Sequence, residues 1–173
     1  AKLVNWEPGY AVWTFKFLLW MMDQGIQVTD YDMIDYEAWA ENGIEGLRAS
    51  VPEKEFRFYL ENTKDLGSYT EDIQRMTGHK NFTYFRQKPT FDDLKKAFDE
   101  GAVCEVTLDS RTLDNKPGFS LHRVVFLDVE NDEVVFHDPR KVPRPARKES
   151  RSHFEKAWLG VLNAPELCTY RKI

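Results

Sequence analysis

The sequence predicts an α+β fold on three observations. Helical periodicity with capping signals dominates residues 1–100, period-two apolar alternation dominates residues 101–173, and helices and strands do not alternate as they would around a parallel sheet. At 173 residues the chain is one domain's worth, able to bury about 70% of its unfolded surface. An aromatic share of 14% means that rings build much of the core and leave material for an aromatic-lined groove.

The first element is a helix over 11–22. AVWTFKFLLWMM is apolar at nearly every position, which marks a helix buried on most sides, and Gly25 follows as its C-terminal cap. Trp6 to Tyr10, WEPGY, is turn chemistry that starts this helix at a loop. A short helix from Asp35 to Glu41 ends at Asn42-Gly43. Ser50 with Glu53 sets a capping box before KEFRFYLEN, Ser68 with Glu71 before DIQRMTG, and Thr90 with Asp93 before LKKAFDEG, which stops at Gly101. Strands follow at 102–108, 122–129 and 133–137, the last two joined as a hairpin through Glu130-Asn131-Asp132. The basic run RKVPRPARKESR at 140–151 reads as an exposed loop. Ser152 with Glu155 caps a short helix, and strands at 161–163 and 167–171 close an antiparallel sheet of about five strands.

Net charge excludes several functions. At −5, with a pI near 5.4, the whole-chain field repels nucleic acid and anionic membranes. The longest apolar run, Phe17 to Met22, falls far short of the ~20 residues a span needs, and no basic-then-apolar signal peptide opens the chain. Cys104 and Cys168 form neither a metal cluster nor a disulfide framework, which fits a reduced cytoplasmic protein as well as a single disulfide. The acids Asp23, Asp30, Asp32, Asp35 and Glu37 fit no calcium-loop spacing and read as solvated surface, so neither a metal nor another cofactor is expected.

His122 and Asp138 carry the sharpest chemical signal. In the hairpin LHRVVFLDVENDEVVFHDP, position 122 lies roughly opposite 138–140, within reach of a carboxylate that would fix the imidazole tautomer. The plainer reading is a strand-end histidine and an aspartate-proline turn.

This hairpin resembles the His-to-Asp segment of C39-type peptidases, relatives within the papain-like cysteine protease fold. GAVCEVTLD before it, HFEKAWLGVLN after it, and EPGYAVWTFKFLLWMMDQG near the start are similar to the family's preceding strand, following helix and nucleophile helix. These motifs cover rather more than half the chain and skip Gln27 to Pro89. The resemblance implies one papain-like domain over 1–173, with the 11–22 helix packed against the sheet, His122 as general base and Asp138 as its orienter.

The nucleophile is missing from that pattern. Aligning Gly25 with the family's helix-ending glycine puts Val12 at the cysteine position and Trp6 at the oxyanion-hole glutamine. Trp6, Tyr10 and Val12 then line the inherited cleft. Three readings follow. One is a non-catalytic module that grips a peptide or protein segment; another is a hydrolase or acyl transferase with Cys104 or Thr14 as nucleophile. The third is an interaction protein in which His122 and Asp138 only share a hydrogen bond. Oligomeric state is open.

Overall fold

A computed structural model describes residues 8–160 and 165–173. The fold is α+β, with eight α-helices and seven strands among the described residues. The strands are β1 (Ile26–Asp32), β2 (Phe82–Arg86), β3 (Val103–Asp109), β4 (Leu121–Glu130), β5 (Glu133–Asp138), β6 (Arg144–Ser150) and β7 (Glu166–Lys172), in the sheet order β2-β1-β7-β3-β4-β5-β6. Contacts divide the chain into two compact units. One comprises the chain up to Val28, Met33–Arg86 and Lys172–Ile173, and the other comprises Thr29–Asp32 and Gln87–Arg171.

The first unit is helical: α1 (Phe15–Asp23), α2 (Tyr36–Asn42), α3 (Ile44–Ser50), α4 (Glu53–Asn62) and α5 (Thr70–Thr77). The expected 11–22 helix begins four residues late. Ala11 donates its amide to the Asn62 carbonyl, and the Trp13 indole donates to Thr63 Oγ1, so tertiary bonds draw 11–14 out of the helix. Rings of Trp13, Phe15, Trp39 and Tyr59 pack edge to face around that anchor. Phe15, Leu18, Leu19 and Met22 are the buried face of α1, and within this unit the helix packs on α5. Trp20 stays 43% exposed, so the helix is not buried all round as its composition predicts. Gly25 takes φ +81 just beyond α1, the left-handed conformation that favours glycine at a helix end.

The second unit builds its core beneath the sheet. β7, β3, β4, β5 and β6 pair antiparallel in that order. Cys104, Val106 and Leu108 face inward with Val124, Phe126, Val134, Phe136 and Leu167. Phe91 and Leu94 from α6 (Phe91–Asp99), Phe154 from α8 (Arg151–Glu155), and Ala157 and Trp158 from the following π turn complete this core. Within this unit, α6, α8 and the π turn supply the helical cover of the core.

Other expectations change as well. Seven strands replace about five. β1 and β2 arise in the half predicted to be helical, because IQVTDYD alternates at period two and its inward acids disguise the strand. β6 arises in the basic run predicted to be a loop; its Pro145, Lys148 and the positive φ of Ala146 are the blunting devices of an edge strand. The Thr90–Asp93 capping box forms as predicted. Ser50 and Ser68 cap nothing, because their hydroxyls donate to the carbonyls of Leu47 and Asp65. Ser150, rather than Ser152, caps α8. The strand predicted at 161–163 lies outside the described residues.

Candidate functional site

The β4–β5 hairpin turns at Asn131 and Asp132, both at positive φ, as a two-residue turn requires. Val125 pairs with His137, so His122 and Asp138 share one face in a diagonal relation. His122 Nε2 lies 2.6 Å from Asp138 Oδ1. Burial raises the Asp138 carboxyl, but the His122 hydrogen bond, the charge of His122 and Arg140, and a hydrogen bond from Arg147 outweigh it and hold the acid below its ordinary value. An ionised carboxylate can only accept, so Nε2 carries the proton and Nδ1 is left for another partner. Asp138 is 0% exposed, and the His122 side chain retains 20%.

The sequence reading missed what surrounds this pair. Arg140 Nε lies 2.9 Å from Asp138 Oδ2, and Arg147 Nη1 lies 3.2 Å from the same oxygen. Both arginines also bind Asp114, with Arg147 Nη1 at 3.0 Å from its Oδ1. Burial raises the Asp114 carboxyl, yet hydrogen bonds and charge from Arg140 and Arg147 overcome this and hold it at about 2. Arg147 also stands over the Phe136 ring and donates to Leu113 O at the end of α7 (Ser110–Leu113). The only sequence signal for these partners was the basic run itself, which leaves Arg140 between β5 and β6 and returns Arg147 to the sheet in β6.

Asp109 is a second missed residue. At the end of β3 it accepts from the amides of Arg111, Thr112 and Ser120, which pins both ends of the segment leading into His122. Its carboxyl is lowered because these bonds, with one from the Thr112 hydroxyl, outweigh burial. The DSRT sequence at a strand end is the helix-cap signal that could have found it.

The other candidates lie on other elements. Trp6 lies outside the described residues. Tyr10 is exposed in a Pro8-Gly9-Tyr10 turn, and Val12 is half-buried in the segment before α1 rather than at a helix start. Both belong to the first unit, whereas His122 and Asp138 belong to the second. Thr14 precedes α1, and its side chain makes no capping bond. Cys104 faces the core at 0% exposure, its thiol pushed up by burial to about 12. Cys168 is on the opposite face of β7, also buried, and its thiol is raised by burial and then by Asp30 and Glu166.

Asp30 and Asp32 are buried, contrary to the solvated surface expected of them. Their carboxylates and that of Glu166 bring one oxygen each within 4.8 Å of the others, oxygen donors of the kind hard cations take. Glu166 is also engaged by Arg123 at 2.5 Å and Thr107 at 2.6 Å.

Among the described residues no helix is long and apolar enough to cross a membrane. Comparison with protein-family models, curated proteins and solved structures finds no match for this chain.

Proposed function

We propose that this chain is a papain-like, C39-peptidase-related domain that binds a peptide or protein segment without cleaving it. The observation that carries this reading is the state of its thiols. A dyad of the His122–Asp138 type acts by drawing a proton from a nucleophile, and a thiol is useful to it only as a reachable thiolate. Cys104 is sealed in the core with its thiol near 12, and Cys168 is equally buried. Thr14 leads into α1, and its hydroxyl makes no capping bond there. Asp138 divides its charge among His122, Arg140 and Arg147, which suits a rigid anchor for the hairpin better than a dedicated orienter.

The inherited contact surface would include His122, through its Nδ1 edge. Leu121 is exposed next to His122 in sequence and supplies apolar area of the sort that grips an extended chain. Labelling with iodoacetamide at neutral pH, read by mass spectrometry, should leave native Cys104 unmodified and label it only after denaturation. Fast labelling of the native chain would bring back the hydrolase reading. For binding, a peptide array probed with the native chain and with His122→Ala and Leu121→Ala should show loss by at least one variant. Unchanged binding by both would remove the inherited cleft.

A further inference from the structure

A second surface of the β-rich unit has the form of a docking groove. It has a volume of about 580 Å³ and runs between the start of α6 and the outer side of α8 and the π turn. Its apolar lining is Pro89, Leu159 and Pro165, with the buried ring of Phe91 beneath. Arg151 stands 4.1 Å over the Phe91 ring and is held there by Glu155 at 3.1 Å, so one wall is a fixed guanidinium plane. Lys88 and Lys156 are exposed on the rim, and neither has an ion-pair partner among the described residues.

The charges select an occupant. Glu155 is spent on Arg151, and Asp92 lies in the first turn of α6, where the helix dipole offsets its charge. That leaves two uncompensated ammonium groups beside an apolar floor, on a chain whose net charge is −5. Nucleic acid would meet that overall repulsion along any extended contact, whereas a short acidic segment meets only the local cations. We propose that the groove docks an extended acidic peptide, which sets an apolar side chain against Leu159 and the Arg151 guanidinium plane and directs its carboxylates to Lys88 and Lys156. This rests on the peptide-binding reading above and names a partner chemistry and a place that the His122 surface does not supply.

The test uses the full chain, labelled with nitrogen-15, and two octapeptides, one alternating glutamate and leucine, the other lysine and leucine. Titration of the glutamate peptide should move the amides of residues 88–92 and 151–160, and the lysine peptide should not. The double charge reversal Lys88→Glu with Lys156→Glu, at exposed positions that leave the fold intact by circular dichroism, should weaken the glutamate peptide about tenfold. The same variant should begin to bind the lysine peptide. Groove amides that stay unmoved by the glutamate peptide, or equal shifts with both peptides, would overturn the proposal. The peptide-binding reading is judged separately: shifts confined to residues around His122 preserve it while the groove falls, and no shifts anywhere remove both.

Discussion

At the scale of single residues, Asp138 decides the character of the hairpin. Removing a buried carboxylate leaves His122, Arg140 and Arg147 without their shared counter-charge, and breaking a buried pair costs about 3–5 kcal/mol. These partners keep some solvent, so Asp138→Ala should cost about 3 kcal/mol, read as a lowered urea midpoint. Acid should reach the same cluster. Asp114 is held at about 2 in the folded chain, below the ~3.9 of an unfolded aspartate, and Asp138 and Asp109 shift the same way. A depressed acid contributes stability above its unfolded value and loses it as pH falls toward the folded one. Melting temperature should therefore drop between about pH 4 and pH 2, and Asp114→Asn should flatten that slope while lowering stability at neutral pH. A profile unchanged by the substitution would show that the cluster does not govern acid stability. His122 and Asp138 could be paired from the hairpin pattern in the sequence; Arg140 and Arg147 could not, because nothing local shows that a basic run turns back as a strand.

At the scale of elements, the contact between α2 and α3 is the most exacting. A Cβ on Gly46 would lie 1.9 Å from the Ala38 carbonyl oxygen, a separation that backbone must move to relieve. Gly46→Ala should destabilise the chain by about 1–3 kcal/mol, despite the better helix propensity of alanine. Thermal unfolding of the variant is the check, and a gain in stability would mean that the two helices do not meet as described. The Thr90 capping box, the glycine ends at Gly25 and Gly101, and β3, β4, β5 and β7 follow from short-range rules and were legible. α1 lost its first turn to bonds with Asn62 and Thr63, fifty residues away in sequence, which periodicity cannot register. β1 was obscured because its acids Asp30 and Asp32 are buried, and buried acids look like surface in any sequence pattern.

At the scale of the whole molecule, charge and rings set the broad limits. With a net −5, the chain should not retard duplex DNA in a gel at physiological salt, and retention that weakens as salt rises would contradict that reading. The sequence alone determined the α+β class, most helices of the first half, the hairpin bearing His122 and Asp138, and the absence of a cysteine where the family resemblance calls for one. Those depend on local periodicity, turn chemistry and residue identity. Only the tertiary structure decided that both thiols are buried, that two arginines share Asp138 with His122, that seven strands form the sheet, and that a cation-rimmed groove opens beside Phe91. Burial and charge partnership are made by segments far apart in the chain, so they exist only once the fold brings those segments together.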